Sequence, residues 1–529
     1  MEVIMHEECG VFGIISNSYA PLAKDVYYGL YALQHRGQES CGMVVNRDGV
    51  FFAHKDLGEV SSVFDEKILD DLPEAQVAVG HVRYSTTGGD NRNNCQPMQV
   101  NHQKGKMALA HNGNISNAFE LRTELELGGA IFHSTSDTEI IAYLVTRERL
   151  AHPSIEEAVL ATIPHLDGAF SLVLMSATKL IAVRDPHGFR PLCYGKTTDG
   201  GYVVASESCA LEAVGAEFIR DIKPGEVMVF SRDVKSSKNK STDDTTSGSI
   251  SYVSETDTHT SGSISLVSET DTHTSESMSS VTGTDTSIRI NSYSAHIEKK
   301  EKKTCIFEYI YFSRPDSVID GISVHEARMR AGKILAREDA MRYNADIVIG
   351  VPDSGLDAAL GYANASGIPY GIGLIKNKYI GRTFISPTQK ERANQVRIKL
   401  NPVRSTIEGK RIILIDDSIV RGTTSAHIVK LLRDAGAKEI HMRISSPPFL
   451  HPCFYGTDID SEENLIACHH TEEEIAGIIG VDSLHYLPLG SLQELINNNH
   501  FCNACFSGDY PTRVPENTAK SRFEEPLIS

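Results

Sequence analysis

The stretch RIILIDDSIVRGTT at 411–424 constrains this chain most. Four apolar β-formers, residues 412–415, run directly into two adjacent carboxylates and then into a small, hydroxyl-rich turn. An unbroken run of this kind suits a parallel strand covered on both faces, and residues 425–435 have helical length with no breaker. Strand, turn and helix in that order make an anion cradle. Gly422 permits a tight turn in which backbone N–H groups from Ser418 through Arg421 to Thr424 converge on a phosphate, helped by the Thr423 and Thr424 hydroxyls and the helix N-terminus. Two carboxylates repel that phosphate, so Asp416 and Asp417 suit sugar hydroxyls or a hard cation such as Mg²⁺. A phosphorylated sugar uses both halves.

The stretch closely resembles the phosphoribosyltransferase fingerprint. The resemblance implies that the two acids hold the ribose of phosphoribosyl pyrophosphate (PRPP) and that the following turn holds its 5-phosphate. The flanking sequence is consistent with a doubly wound parallel sheet: a helix near 324–342, strand DIVIGV, a helix near 355–366, strand RIILID, a helix near 425–435 and strand EIHMRIS. In such sheets ligands bind beyond the C-terminal ends of the strands, where Asp416, Asp417 and the turn VPDSG at 351–355 all fall. Ser354 in that turn, opening a helix, is placed for a second phosphate group. Residues 376–400 are basic and lack apolar periodicity, and Lys376, Lys378 and Arg382 are expected on a loop that closes over a pyrophosphate.

A net charge of −18 over 529 residues argues against nucleic acid as a bulk partner. No apolar run is long enough to cross a bilayer, and the acidic start MEVIMHEE is unlike a targeting peptide, so the expected location is the cytosol. In that compartment ten cysteines are buried small residues, nucleophiles or metal ligands rather than disulfides. Residues 231–303 are dominated by Ser, Thr, Asp and Lys and carry a 14-residue repeat, SGSISYVSETDTHT followed by SGSISLVSETDTHT. With so little apolar content the tract is expected to be a disordered insertion, a small β-solenoid being the structured alternative.

Before the insertion, short strands alternate with helices near 22–34 and 138–149, a layered α and β pattern. Cys9 opens the first strand, and trimming residues 1–8 as a propeptide would give it a free α-amine beside its thiol. A thiol near 8.5 and an α-amine near 8 can exchange a proton close to neutrality, which makes one residue both nucleophile and base. The polar clusters LQHRGQES, GHVRYSTTG, HNGNISN and STSDTE each end a strand or open a helix. Among them Asn112 and the Gly113 N–H suit a tetrahedral oxyanion, Arg83 an α-carboxylate and Asp137 an α-ammonium group, which together describe the reacting amide and the far end of glutamine.

These clusters resemble the class II glutamine amidotransferase domain, an N-terminal nucleophile hydrolase with a four-layer αββα sandwich, over residues 9–230. Joined to a type I phosphoribosyltransferase α/β domain at 304–510, with a tail at 511–529, the chain is similar to the glutamine phosphoribosylpyrophosphate amidotransferase family. The resemblance implies Cys9 as nucleophile, Asn112 and Gly113 as oxyanion hole, Arg83 and Asp137 as glutamine ligands, and Ser354, Asp416 and Asp417 around Mg²⁺. It also implies a homotetramer with purine nucleotides as feedback inhibitors, acting at the first committed step of purine synthesis. RDPHGFRPL at 184–192 matches a family segment and is read as structural. The C-x2-C pair Cys502 and Cys505 by itself fits zinc, a redox dithiol or an iron–sulfur cluster equally. The settings of Cys305 and Cys453 resemble those of the family's iron–sulfur branch, which implies a 4Fe–4S cluster on Cys305, Cys453, Cys502 and Cys505. Another acceptor for the amide nitrogen, or a PRPP sensor without catalysis, are the competing readings.

Overall fold

A computed structural model describes residues 9–84, 91–232, 287–294, 300–339, 344–377, 400–457, 459 and 461–514. The segment 1–8, the repeats, Lys378, Arg382 and the tail from 515 lie outside the described residues.

The inner strands of the first half are buried along most of their length, which requires cover on both faces. A seven-stranded sheet has the order Glu217–Asp221, Cys193–Lys196, Tyr202–Ala205, Gly10–Ala20, Ala75–Arg83, Ser40–Arg47, Val50–Leu57. A six-stranded sheet has the order Ile288–Ser294, Glu226–Arg232, Lys179–Arg184, Gly168–Met175, Gly105–Ile115, Met98–His102. Every recorded pairing in both is antiparallel. Period-two alternation sends Val11, Ile15, Val77, Val79, Ala110, Val173 and Phe230 into the layer between the sheets. The opposite faces meet helices: Leu22–Ala32 covers the first sheet through Val26 and Leu30, and Asp137–Ala151 covers the second through Ile140, Ile141 and Leu144. Helix, sheet, sheet and helix are the four expected layers.

Part of the tract expected to be disordered, 231–303, forms a strand. Ile288–Ser294 returns antiparallel to Glu226–Arg232, with Val227 opposite Tyr293, and forms the edge of the second sheet. Its side chains alternate between half-buried and exposed. An edge strand needs so little apolar content that a seven-residue alternation was lost among serines and threonines.

In the second half four parallel strands stand in the order Ile347–Gly350, Arg411–Asp416, Glu439–Ile444, Ser483–Tyr486. Helices Val324–Asp339 and Gly355–Ser366 share a core with one face, and Thr423–Asp434 and Glu472–Ile479 with the other. The two halves are joined by buried contacts. Ala169 and Phe189 of the first half share a core with Phe307, Tyr309, Phe312 and Tyr455 of the second, and Arg184 forms a two-pronged ion pair with Asp320 at 2.8 and 3.0 Å. Thus RDPHGFRPL, read as structural, is interdomain structure.

Candidate active sites

Cys9 is 7% exposed at the mouth of the first strand, and its thiol donates to the Tyr84 carbonyl at 3.3 Å. Burial pushes that thiol up to about 11, against a weaker opposing pull from the Tyr84 hydrogen bond and from Arg83, while Asp137 and Glu39 push it further up. Arg83, Asp137 and Glu39 therefore stand close enough to act on the Cys9 charge, as the sequence reading required of the first two. Asp137 opens its helix, which Ser136 caps by accepting from the Thr138 N–H. Burial alone would raise the Asp137 carboxyl. The His111 imidazole beside it at 3.4 Å and the N–H groups of Ile115 and Thr138 hold it below the usual carboxylate range instead. His81, whose ring bonds the His111 carbonyl at 2.9 Å, is pushed down to about 3 by burial and so is neutral.

Asn112 is fully buried, and neither end of its side-chain amide has a hydrogen-bond partner among the described residues. An orphaned buried amide is costly unless a ligand completes it. The neighbouring Gly113 has φ of +137°, and a Cβ there would stand 2.2 Å from the Ala169 carbonyl oxygen, so only glycine holds the backbone in this place. Arg36, from LQHRGQES, was not singled out by the sequence. It donates to the Cys9 carbonyl at 3.0 Å, to Glu207 at 2.6 Å and to Glu308 at 2.8 and 3.0 Å, and Glu308 also pairs with Arg190 at 3.3 Å. Glu308 begins a π-helical turn of the second domain. Cys9 is thereby tied to the domain interface through one fully buried guanidinium. A charged residue mid-motif is the sole sequence signal for such a role.

In the second domain Asp416 and Asp417 end the strand Arg411–Asp416, each 7% exposed. Burial and the neighbouring Asp417 push the Asp416 carboxyl up; burial also raises Asp417, although the hydroxyls of Ser354 and Ser418 donate to it and Arg328 lies near. Two adjacent buried acids of this kind are a site for a cation or for sugar hydroxyls. The bond from Ser354 confirms that the turn 351–355 and the strand end face one crevice. They approach so closely that a Cβ on Gly355 would stand 2.5 Å from the Ile415 carbonyl oxygen. Lys376 reaches the same turn, 2.6 Å from Asp353. Gly422, at φ of +79°, is the N-cap of Thr423–Asp434, a helix that begins two residues earlier than expected, with Thr423 and Thr424 exposed in its first turn. Strand, glycine turn and helix start therefore stand in the order that the sequence reading expected.

Cys305 and Cys502 are partners in a two-residue parallel bridge. The Cys505 thiol is pushed well up by burial and by the nearby thiols of Cys453, Cys305 and Cys502, and burial pushes Cys502 up to about 12. The four cysteines, dispersed over two hundred residues of sequence, therefore gather at one place, and none is in a disulfide. Among the described residues no three His, Cys, Asp or Glu side chains are already arranged to hold a metal ion. Cys41, Cys95, Cys193 and Cys209 are buried elsewhere, and Cys468 is half-buried. No helix among the described residues is long and apolar enough to cross a membrane.

Residues 81–213 match the glutamine amidotransferase domain family and residues 323–445 the phosphoribosyl transferase domain family. The chain is 46% identical to the amidophosphoribosyltransferase of Methanocaldococcus jannaschii over 96% of its length and 98% of that protein's. It is 42% identical to the amidophosphoribosyltransferase of Bacillus subtilis, over 99% of its own length and 98% of the relative's. The solved structure of glutamine phosphoribosylpyrophosphate amidotransferase from B. subtilis, complexed with ADP and GMP, superposes with a TM-score of 0.79 at 41% identity, covering 97% of this chain and 100% of that one.

Proposed function

The chain belongs to the amidophosphoribosyltransferase family, and from that premise we propose how its residues carry the amide nitrogen of glutamine to PRPP. The products are 5-phosphoribosylamine, glutamate and pyrophosphate, in the first step of purine biosynthesis. The observation that carries the proposal is the orphaned Asn112 amide beside Gly113, in a half whose buried thiol lies close to one cation and two anions.

Arg83 and Asp137 take the α-carboxylate and α-ammonium of glutamine. A thiol raised to about 11 offers no useful thiolate at neutral pH, so removal of residues 1–8 supplies the missing base as the α-amine of Cys9. The sulfur attacks the amide carbon, and the developing oxyanion is held by Asn112 Nδ2 and the Gly113 N–H. Collapse breaks the C–N bond, the amine's proton passes to the departing nitrogen, and water releases glutamate from the thioester. Ammonia then displaces pyrophosphate from C1. It must travel unprotonated, which the continuous apolar core between the halves favours.

In the second domain the turn with Ser418, Arg421, Gly422, Thr423 and Thr424 holds the 5-phosphate, and Asp416 and Asp417 the ribose hydroxyls. Ser354 and Lys376 are assigned to the pyrophosphate, as are Lys378 and Arg382, which lie outside the described residues. The mutually repelling acids and the Ser354 hydroxyl fit Mg²⁺, which when bound offsets the pyrophosphate charge. Purine nucleotides are inferred as feedback inhibitors, in keeping with the ADP and GMP of the B. subtilis relative, and the assembly as a homotetramer in the cytosol.

Cys305, Cys453, Cys502 and Cys505 are assigned to a 4Fe–4S cluster. Four gathered cysteines in no disulfide, with burial pushing the Cys502 and Cys505 thiols up, are a donor set that a cationic cluster would complete. Bound there, the cluster would tie the start of the second domain, residue 453 and the C-terminal segment into one unit. Anaerobically purified protein is expected to be brown, with about four irons per chain; a colourless, iron-free, fully active enzyme would refute the assignment. The reaction itself is tested by pyrophosphate release from PRPP with glutamine or ammonia as donor, and release with neither would overturn it.

A further inference from the structure

Residues 453–457 belong to the second domain and begin at one of the four gathered cysteines, yet they lie against the strand that carries Asn112 and Gly113. Asn114 Nδ2 donates to the Phe454 carbonyl at 2.8 Å. The Arg190 guanidinium donates twice to the Tyr455 carbonyl, at 3.1 and 2.5 Å, and the Phe189 ring stacks on Tyr455 with centroids 4.3 Å apart. Gly456 has φ of +120°, and a Cβ on it would stand 3.1 Å from Arg190 Nη2 and 3.6 Å from the Gly113 carbonyl carbon. The Gly113 backbone is therefore closed in from two sides: by the Ala169 carbonyl of its own sheet, and by a bare glycine backbone from the other domain.

We propose that residues 453–457 form a positioning strap for the oxyanion donors. Asn114 pins the strap and Gly456 lets it approach, so amide hydrolysis at Cys9 depends on a segment of the phosphoribosyl half. The physical reason is geometric. Oxyanion donors accelerate a reaction only while they are held where the charge will develop, and a shift of a few tenths of an ångström forfeits part of that stabilisation. Among the described residues the strand beyond Leu109 is paired along one edge only, by Gly168–Met175; the strap braces it from the other domain. Its root is Cys453, whose sulfur accepts from the Tyr455 N–H at 3.4 Å and whose own N–H donates to the Ile459 carbonyl at 3.0 Å. Whatever fixes Cys453 also fixes the strap, which gives the gathered thiols a route to the glutamine site that bypasses the phosphoribosyl site. None of these residues touches the reacting atoms, so Asn114 and Gly456 act by position only.

The inference rests on the reading of Asn112 and Gly113 as oxyanion hole, and the test separates the two. Full-length chain carrying Asn114→Ala, Asn114→Asp or Gly456→Ala is assayed for kcat and KM with glutamine, for ammonia-dependent pyrophosphate release, and for inhibition by glutamate γ-semialdehyde. That aldehyde accepts the Cys9 sulfur at its carbonyl carbon while the thiol proton passes to the carbonyl oxygen, so its affinity reads the oxyanion donors directly. Glutamine-dependent kcat is expected to fall about tenfold in Asn114→Ala and about a hundredfold in Gly456→Ala, with KM and the ammonia rate each held to about twofold. The inhibition constant for the aldehyde should rise by the same factor as kcat falls. Asn114→Asp, which sets a carboxylate against the Phe454 carbonyl, should do at least as much harm as the alanine. Rates falling equally with both donors, or an unchanged inhibition constant, would overturn the strap while leaving the hole. If Asn112→Ala bound the aldehyde as tightly as the natural chain, the oxyanion reading itself would fail and the strap with it.

Discussion

The two candidate sites are assembled in opposite ways. The phosphoribosyl site is local: one strand end, one turn and one helix start, all within residues 411–424, supply most of its chemistry, and Ser354 arrives from the adjacent parallel strand. The glutamine site is spread over the starts and ends of several strands in two sheets, with Cys9, Arg83, Asn112 and Asp137 each from a different element, and Arg36, Glu207, Glu308 and Arg190 bracing it from behind. Its charges are internally compensated, whereas the paired acids of the other site are not. The second site presents uncompensated acids suited to a cation and a sugar; the first pairs its ions, while both ends of the Asn112 amide are unsatisfied among the described residues. Such a division suits a first half that must hold a short-lived tetrahedral species and a second that must capture a large anionic substrate.

The most severe test separates the chemistry of the halves. Cys9→Ala is expected to lower glutamine-dependent synthesis by about 10⁴-fold or more while ammonia at high pH still serves as donor. Replacing Asp416 and Asp417 together by Asn should remove synthesis with either donor. Loss of both activities in the Cys9 variant, seen as pyrophosphate release, would mean that the sites are not separable.

A next test probes the brace. Glu308 is fully buried between Arg36 and Arg190; burial opposes its charge, but Arg36 above all holds it down at about 2. Because the folded value lies below the ordinary one, its contribution is present above about pH 4.5 and fades as pH falls toward 2. Glu308→Gln takes a carboxylate from two buried guanidinium groups, leaving Arg36 with Glu207, and is expected to cost about 3–5 kcal/mol at pH 7. Denaturant midpoints across pH should show the difference from the natural chain narrowing in acid. A constant difference would indicate lost packing rather than lost charge.

The same two assemblies explain what the sequence could and could not tell. Residues 411–424 read directly because a buried parallel strand is a continuous apolar run and its turn chemistry follows it immediately. Cys9, Arg83, Asn112, Gly113 and Asp137 were legible only as members of a set, since each alone is an ordinary core thiol, ion pair, turn or helix cap. Arg36, Glu308, Arg190 and Gly456 were not legible as partners, because ion pairs 118 to 272 residues apart leave no periodic trace. The hairpin Ser40–Arg47 and Val50–Leu57 and the strand Ser483–Tyr486 were likewise missed. Ser40–Arg47 opens on three small residues, Val50–Leu57 is interrupted by Lys55 and Asp56, and the last is only four residues long.

A smaller effect of opposite sign is expected at the interdomain cluster. Asp221 is pushed up to about 6 by burial and by the nearby Asp320, against Arg184 and Lys302. A carboxyl raised in the folded state favours folding below its unfolded value near 3.8 and loses that advantage as pH rises through 6. Asp221→Asn is therefore expected to stabilise the chain at pH 7 by up to about 2–3 kcal/mol, with the gain vanishing below pH 4. Melting curves at pH 4 and 7 measure it; equal shifts at both would remove the electrostatic cause.

The smallest effect concerns the insertion, and here the edge strand sharpens the prediction. Replacing 241–286 by a short Gly/Ser linker removes the repeats but keeps Ile288–Ser294 on the second sheet. Closing a loop of different length changes the chain entropy by only about 0.6 kcal/mol per doubling, so the melting temperature and turnover with either donor should be nearly unchanged. Extending the replacement to 298 removes the strand that pairs residue by residue with Glu226–Arg232. It also removes the cover that Ile288 and Ile290 give the layer between the sheets, and the Ser292 hydroxyl that donates to Glu226 at 2.7 Å. That longer replacement should lower the melting temperature and, because Glu226–Arg232 belongs to the sheet that bears Asn112, weaken glutamine use more than ammonia use. If the two replacements behave alike, the strand contributes nothing that the linker does not.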